Sequence, residues 1–242
     1  MLASVFFSAY SHADFFGKLI LAGLFSLSIL CWVVLIAKVK QTKKVKKMSS
    51  SFEKAFQPNI SRLLALSIED IAGANTEQPF GKIFLSLKQK TLDLLNKNHF
   101  FATQEKKEID KSEVYLSQTD LEIIESHVLT TISSENKNLE KHLFILSTIV
   151  TLAPFIGLLG TVWGILISFS EMQSGATVNS SNAVLGGLAT ALVSTVLGLV
   201  IAIPALVSYN YLKNNLKHYS SDMEDFLYRL LSTIELQYRK PF

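Results

Sequence analysis

The chain has 242 residues, of which 49% are hydrophobic, and its mean hydropathy is +0.31. These values lie above those of an average soluble protein and favour a membrane protein. The net charge of +3 points to no particular class of partner, and the single cysteine excludes an internal disulfide.

The first predicted element is a membrane-spanning helix over residues 16–37, preceded by an outside N-terminus over residues 1–15. Residues 19–37 carry no charge, and six lysines follow within residues 38–47. A secretory signal peptide has the opposite order, with its positive charge before the apolar run. Because positive residues are retained in the cytoplasm, we expect the N-terminus outside and residues 38–142 inside. The lysine run could also be read as a nucleic-acid patch, but its place directly after a span favours a topogenic and lipid-contacting role, so no nucleic-acid partner is expected.

The inside region is predicted to be helical. Amphipathic helices are expected over residues 49–71 and 80–101, with a turn at the intervening AGANTEQP stretch. A further helix is predicted from residue 121, where apolar residues recur at gaps mostly of three and four. No proline or glycine interrupts residues 121–143, so we expect this helix to run straight into the second span.

Two longer apolar stretches follow, over residues 143–170 and 183–209, and the outside loop between them, residues 171–182, has no lysine or arginine. Both exceed the roughly 20 residues that cross a bilayer, so we expect tilt or extension beyond the membrane surface. Residues 210–242 are predicted to form an inside C-terminal helix. No alternating strand pattern is present. The predicted fold is an all-α membrane protein with three spans, arranged as one helical unit with its N-terminus outside and its C-terminus inside.

Sites for soluble chemistry are scarce. Cys31 lies inside the first span, where we expect a packing role, and the five histidines are scattered along the chain. The sequence has no phosphate-binding loop, dinucleotide fingerprint or HExxH helix. We therefore expect no catalytic residue, no cofactor and no metal, and the chain is not expected to be an enzyme.

Both longer spans have a face of small residues. At 100° per residue, one side of the second span collects Ser147, Thr151, Pro154, Gly157, Thr161, Gly164 and Ser168. The third span repeats the arrangement with Gly187, Ala191, Ser194, Gly198, Ala202 and Ala205. Small faces let helix backbones approach closely in lipid, where apolar area gives little drive for association. We expect the chain to form a ring through these faces.

The hydroxyl groups of these spans admit two interpretations. Thr161 and Thr195 could each bond back to a carbonyl of their own helix, which is the simpler explanation for either one alone. Together with Thr148, Thr151, Thr190 and Ser194, they suggest a surface that holds water or faces a polar residue of a neighbour. Neither span contains Asp, Glu, Lys, Arg or His, so an ion pathway here needs an ionisable group from another chain.

A specific resemblance covers residues 138–212. NLEKHLFILSTIVTLAPFIGLLGTVWGILISF, followed by ATALVSTVLGLVIAIPALVSYNYL, resembles the TolQ/ExbB branch of the MotA/TolQ/ExbB proton-channel family. The resemblance implies a multi-pass protein in the inner membrane of a double-membraned bacterium. It also implies a homopentameric ring around the span of a TolR- or ExbD-like partner, which carries a membrane-embedded Asp. A TolA- or TonB-like protein and membrane lipids are the further implied partners.

The resemblance also implies roles for individual residues. Thr161 and Thr195 match the threonines that face the partner's Asp and line the proton route, and the other hydroxyl residues of the predicted pathway are Thr190, Thr151 and Ser194. Helix packing and pore shaping are expected of Pro154, Gly157, Gly160, Gly164, Gly187, Gly198 and Pro204. Many TolQ and ExbB sequences have a Glu where this chain has Thr190, so the relay role of that Glu is not transferred.

The predicted function is that of an ion-driven motor subunit, in which proton flow moves the partner and force is transmitted towards the outer membrane. The short outside N-terminus favours the TolQ type over the ExbB type, and the MotA type is disfavoured because it has an extra span. An ExbB-type subunit that energises TonB-dependent import is one alternative. The other is a helical scaffold that assembles envelope proteins without conducting.

Overall fold

The structure is a computed structural model that describes residues 10–11, 13–56, 63–64, 78–104, 115–173 and 180–238. Its elements are the α-helices α1 (Phe15–Phe56), α2 (Pro79–Gln104), α3 (Gln118–Glu140), α4 (Leu143–Gln173) and α5 (Ser180–Tyr238). In this part of the chain three helices, α1, α4 and α5, are long and apolar enough to cross a membrane. The prediction of an all-α protein with three membrane-spanning helices is confirmed.

The first span and the first predicted inside helix are one element. α1 continues for 42 residues to Phe56, so a separate helix beginning at residue 49 is wrong. Its stretch beyond Val39 contains no proline or glycine that would end a helix. Within the rest of that prediction only residues 63–64 are described, and they form a turn. The second predicted inside helix, residues 80–101, corresponds to α2.

The predicted continuous helix from residue 121 into the second span is also wrong. α3 ends at Glu140, and the backbone of Lys141 is extended, with φ −50° and ψ 131°. His142 follows with φ 72°, in the left-handed region that non-glycine residues rarely adopt. The chain therefore stops being helical for two residues and starts again at Leu143. Neither residue type signals such a break, which is why apolar spacing alone missed it.

The chain divides into two compact units rather than the one predicted. The span unit comprises Met1–Val39 and His142–Lys213, and the aromatic unit comprises Lys40–Lys141 and Asn214–Phe242. α1 and α5 each contribute residues to both. In the span unit α4 contacts both α1 and the first part of α5.

Aromatic side chains form the core of the aromatic unit. Phe226 of α5 lies 4.8 Å from Phe80 and 5.7 Å from Phe56 between ring centroids, and Phe84 lies 5.3 Å from Phe56. Phe52 joins the same cluster. All five rings are buried, and aromatic pairs at these separations add stability beyond the burial of their area.

α3 packs its apolar face into this unit. The residues predicted from their spacing, Leu121, Ile124, Val128, Ile132 and Leu139, are all buried. α3 begins with a capping box in which the Ser117 side chain accepts a hydrogen bond from the Asp120 amide and the Asp120 carboxylate accepts one from the Ser117 amide. Polar contacts also join α3 to α2, where Lys82 pairs with Glu135 at 2.7 Å.

Candidate functional site

Glycines allow α4 and α5 to touch through their backbones. A Cβ atom at Gly157 would lie 2.8 Å from the Ser194 carbonyl oxygen, and one at Gly198 would lie 2.6 Å from the Ala153 carbonyl oxygen. Real Cβ atoms do not approach oxygen so closely, so only glycine fits at these two positions. The close approach is the one that small-residue faces permit in membrane helices.

The same contact extends towards the C-terminal end of α4. A Cβ atom at Gly164 would meet the Ala191 side chain at 2.7 Å, and one at Gly187 would meet the Ser168 hydroxyl at 2.6 Å. Gly160 lies directly against Ser194. The small faces of the second and third spans are thus occupied by each other within one chain. The glycines of these faces are therefore already filled by contacts within the chain. The ring stays a prediction, and it would have to use the parts of the surface that these contacts leave open.

The two prolines of the predicted set lie inside continuous helices. α4 continues through Pro154, which is half-buried, and α5 continues through Pro204, which is exposed. A proline has no amide hydrogen, so neither can donate to the carbonyl four residues earlier. Each therefore leaves one backbone acceptor without its helical donor.

Thr161 and Thr195 form a hydroxyl pair between α4 and α5. The single hydrogen of the Thr195 hydroxyl is shared between the Gly157 carbonyl at 3.1 Å and the Thr161 hydroxyl at 3.3 Å. The Thr161 hydroxyl in turn donates to the Leu158 carbonyl at 2.7 Å. Both side chains are half-buried, so the pair remains accessible on one side. The structure thus brings together the two threonines that the resemblance singled out.

The other predicted hydroxyl residues divide into three cases. Ser194 is buried and donates to the Gly157 and Ala191 carbonyls at 3.1 and 2.7 Å. Thr151 is exposed, and its hydroxyl donates only within α4, to the Ser147 and Thr148 carbonyls. Thr190 belongs to α5, but its side chain lies outside what the structure describes.

The hydrogen bonds of the pair decide what it can bind. Each hydroxyl has one hydrogen and two lone pairs, and both hydrogens are already donated within the chain. In this arrangement the pair offers lone pairs outwards, so it can accept a hydrogen bond from water or from a protonated carboxyl group. A carboxylate has no hydrogen to give, and it could bind only if a threonine released its carbonyl acceptor.

A contact that the sequence analysis missed lies at the start of α1. The Asp14 carboxylate accepts hydrogen bonds from the Trp163 indole nitrogen at 3.0 Å and from the Gly17 and Phe16 amides at 2.9 and 3.3 Å. Partial burial raises the pKa of Asp14, but the hydrogen bonds from Trp163, Gly17 and Phe16 together lower it below its ordinary value. The Phe16 and Trp163 rings are 4.4 Å apart. An Asp just before an apolar helix is a capping signal, but its tryptophan partner is 149 residues away.

Among the described residues, no group of three or more His, Cys, Asp or Glu side chains could hold a metal ion. Cys31 is buried in α1, and His12 lies outside the described residues.

The comparison with known proteins matches the region that carries the glycine contacts and the threonine pair. The sequence model of the MotA/TolQ/ExbB proton channel family covers residues 95–225, more than half of the chain. That family consists of proton channels and is not an enzyme family.

The individual relatives are named either ExbB or TolQ. The biopolymer transport protein ExbB of Pseudomonas putida is 30% identical over 217 residues, which is 89% of this chain and 59% of that protein. The ExbB protein of Aquifex aeolicus is 42% identical over 88 residues, or 36% of this chain and 59% of that protein. The Tol-Pal system protein TolQ of Haemophilus influenzae is 27% identical over 229 residues, or 92% of this chain and 90% of that protein. The chain thus spans less than two thirds of the two ExbB relatives and most of the TolQ relative, and it belongs to the MotA/TolQ/ExbB proton channel family.

Proposed function

We propose that this chain is the proton-channel subunit of a Tol-Pal or Ton type energiser in the inner membrane of a double-membraned bacterium. Five copies would form a ring around the span of a TolR- or ExbD-like partner, and a TolA- or TonB-like protein would transmit force towards the outer membrane. The observation that carries the proposal is the Thr161–Thr195 pair, whose hydroxyls lie 3.3 Å apart between two helices that have no ionisable side chain in their spans.

The proposed topology has the N-terminus outside and the C-terminus inside. The lysines of residues 38–47 support it, as does the absence of Lys and Arg from residues 171–182. A cysteine at Ser180 should react with a membrane-impermeant thiol reagent added from outside, and a cysteine at Ser51 should not. Equal labelling of the two positions would contradict this orientation.

The mechanism follows from the lone pairs that the threonines offer. A protonated Asp of the partner can donate a hydrogen bond to the pair at once, whereas the deprotonated Asp cannot do so unless a threonine hydroxyl turns away from its carbonyl. The two charge states of the partner therefore prefer different positions beside α4 and α5. Alternate protonation from one side and release to the other would move the partner, and the membrane potential supplies about 2.3 kcal/mol per charge and 100 mV.

The test separates hydroxyl chemistry from packing. Thr161→Val and Thr195→Val remove the hydroxyl with little change of shape, whereas Thr→Ser at the same positions keeps the hydroxyl and removes a methyl group. With the partner present in liposomes, the Val variants should abolish proton flux while the complex still purifies intact, and the Ser variants should retain much of it. Thr148→Val is the matched control, because the Thr148 hydroxyl is exposed and donates to Phe144 of its own helix. Active Val variants, or Ser variants that fail as badly, would show that the threonines serve packing.

Thr190→Val is expected to be milder than Thr195→Val. A threonine cannot titrate and so cannot replace the Glu of other family members as a relay, although it can order water. Equal loss of flux in the two variants would instead give Thr190 a direct part in the pathway.

The second candidate is an ExbB-type role in TonB-dependent import, and the two ExbB relatives favour it. The TolQ relative favours the TolQ type, because the chain covers 90% of that protein. Expression of the chain in strains that lack either system would decide, because restored outer-membrane integrity and restored import are different phenotypes. A complex that restores neither flux nor energy-dependent function would favour the non-conducting scaffold.

A further inference from the structure

Two charged residue types, Asp14 and Lys18, lie at the start of the first span, and the Asp14 side chain is hydrogen-bonded to Trp163 of α4. Asp14 is held by Trp163 and by two amides of the first turn, and Lys18 lies 5.9 Å from the Tyr10 ring. A charge in hydrocarbon is expensive, and tryptophan and tyrosine are enriched at the membrane surface, where their polar atoms reach water. The Asp14–Trp163 contact is therefore expected to lie at a membrane surface.

A second contact fixes the register of α1 against α4. Ile20 lies six residues, about 1.7 helical turns, further along the chain than Asp14, and its side chain would meet a Cβ atom at Gly160 at 3.3 Å. Gly160 precedes Trp163 by three residues. α1 and α4 therefore run antiparallel past each other, and both enter the apolar layer at the level of the Asp14–Trp163 contact.

Helix lengths that start near this level agree for α4 and α1. In α4 the helix begins at Leu143, about 20 residues before Trp163. This distance is about 30 Å at 1.5 Å per residue. Lys18 and Lys38 of α1 have the same separation. In α5, Ala191 lies against Gly164, and the same length leads to Tyr211, beside the Lys213–Tyr209 contact. The lengths in α4 and α1 match the thickness of a bilayer core, about 30 Å.

The boundary predicted at residue 170 fits less well. The apolar stretch Leu143–Ser170 has 28 residues and is about 42 Å long, so a core of about 30 Å would contain it only at a tilt near 45°, beyond the usual range. That boundary would also place the Asp14 carboxylate about 10 Å inside the hydrocarbon, at 1.5 Å per residue from Trp163 to Ser170.

We propose that the Asp14–Trp163 contact lies at the outward-facing surface of the inner membrane. This contact then sets the depth of the Thr161–Thr195 pair below that surface. Thr161 precedes Trp163 by two residues, so the pair lies about 3 Å along the helix axis inside that surface. Residues 164–173 then project out of the bilayer. Asp14 is a positioning residue in this arrangement, because it acts on the pair only through Trp163.

One consequence rests on the proposed function, namely that the pair lies on the proton route. A proton from outside then reaches the pair after crossing about one tenth of the apolar thickness, and roughly nine tenths lie between the pair and the inside. Most of the membrane potential therefore acts on the release step rather than on loading. The depth itself is argued from the helix contacts and does not depend on conduction, whereas its assignment to the outer side rests on the proposed topology.

Thiol labelling along one exposed face of α4 measures the boundary. In a Cys31→Ser background, single cysteines would replace the exposed side chains of Leu159, Val162, Leu166, Phe169 and Met172. An impermeant maleimide added from outside should label the last three positions and spare the first two, with full labelling of all five after denaturation. Reactivity that begins only at Met172, or that already includes Leu159, would overturn the proposed depth. A chain that conducts nothing would still give the expected pattern, so this result is independent of the flux measurement.

Variants of Asp14 test whether it sets the depth. In the Leu166→Cys chain, Asp14→Leu should lower the labelling rate roughly tenfold, because the reactive thiolate does not form in hydrocarbon. Asp14→Asn keeps an oxygen acceptor for Trp163 and should change the rate by less than about twofold, since the neutral amide still supports the hydrogen bond. Trp163→Phe keeps the ring and loses the donor, and it should fall between the two. A rate that is unchanged in Asp14→Leu, with only a smaller yield of folded protein, would show that Asp14 stabilises the fold without setting the depth.

Discussion

The span unit and the aromatic unit are held together by opposite kinds of side chain. In the span unit α4 and α5 meet through Gly157, Gly198 and the Ala153 backbone, and hydroxyls bond to carbonyls across the contact. In the aromatic unit, Phe84 and Phe226 belong to a cluster of buried rings. In the span unit many large apolar side chains of α4 and α5 are instead exposed, among them Phe155, Leu192 and Ile203.

The difference follows from the solvent proposed for each unit. In water, burying large apolar side chains is the main drive for packing, at about 25 cal/mol per Å². In lipid that drive is absent, so backbone proximity, van der Waals contact and hydrogen bonds hold helices together. A side chain added to a contact should therefore do most harm in the span unit, and a side chain removed should do most harm in the aromatic unit.

The largest effect is expected from a side chain added between α4 and α5. Gly198→Leu should prevent correct folding, because even its Cβ atom would lie 2.6 Å from the Ala153 carbonyl oxygen, and backbone atoms can move away only if the helices separate. Gly23→Leu is the matched control within the same unit, since a Cβ atom there meets nothing within 4 Å. Size-exclusion profiles and thermal unfolding in detergent should show aggregated protein for the first variant and a normal profile for the second. Similar behaviour of the two would contradict close backbone packing.

The next effect is expected from a side chain removed in the aromatic unit. Phe84→Ala should lower the free energy of unfolding by about 3–5 kcal/mol, because Phe84 is fully buried and the change leaves a cavity beside the Phe52 and Phe56 rings. Phe100→Ala is the control on the same helix, and its exposed ring should contribute less than about 0.5 kcal/mol. Denaturant unfolding followed by helix content would measure both. A small loss in Phe84→Ala would mean that the ring cluster is not the core of this unit.

A smaller effect separates two ion pairs within the aromatic unit. The Lys82–Glu135 pair buries the Glu135 side chain, which is 10% exposed, whereas both partners of Arg229–Glu53 are at least 38% exposed. Lys82→Met should cost about 1–3 kcal/mol by leaving a buried carboxylate unpaired, and Arg229→Met less than about 1 kcal/mol.

The double variant checks this explanation. Adding Glu135→Gln to Lys82→Met removes the unpaired charge and should recover part of the lost stability. The unfolding free energies of the unsubstituted chain, the two single variants and the double variant would show this. No recovery would mean that Lys82 acts through its apolar stem rather than through its charge.

The same contrast explains how much the sequence could predict. Hydropathy and apolar spacing are local properties, so three spans, the buried face of α3 and the small faces of α4 and α5 could all be read from the chain. The partner of a small face is not local, and the same glycines would suit a ring contact or the contact within one chain that the structure has. The Asp14–Trp163 contact joins residues 149 apart, and no spacing rule relates them.

Helix ends show the same limit. The start of α3 at Ser117 has a capping sequence and could be expected to within a few residues. Its end could not, because the left-handed backbone of His142 is adopted without a glycine or a proline. The spacing of apolar residues therefore does not signal a two-residue break of this kind.

The smallest effect is expected at the start of α3. Partial burial raises the pKa of Asp120, but hydrogen bonds from Ser117 and Asn98 and the charge of Lys97 together lower it below its ordinary value of 3.8. A carboxylate whose pKa is lower in the folded protein stabilises it above the ordinary pKa, and this contribution is lost as the pH falls through the lowered value. Asp120→Ala should therefore cost about 1 kcal/mol at neutral pH, as the loss of a cap does. That difference from the unsubstituted chain should disappear in acid, below the lowered pKa.

Hydrogen exchange of the first-turn amides of α3, measured from pH 7 downwards, would follow this difference in stability. Glu122→Ala is the control, because Glu122 is exposed and its loss leaves the cap intact. A difference that persists in strong acid would mean that Asp120 stabilises the turn by its shape and not by its charge.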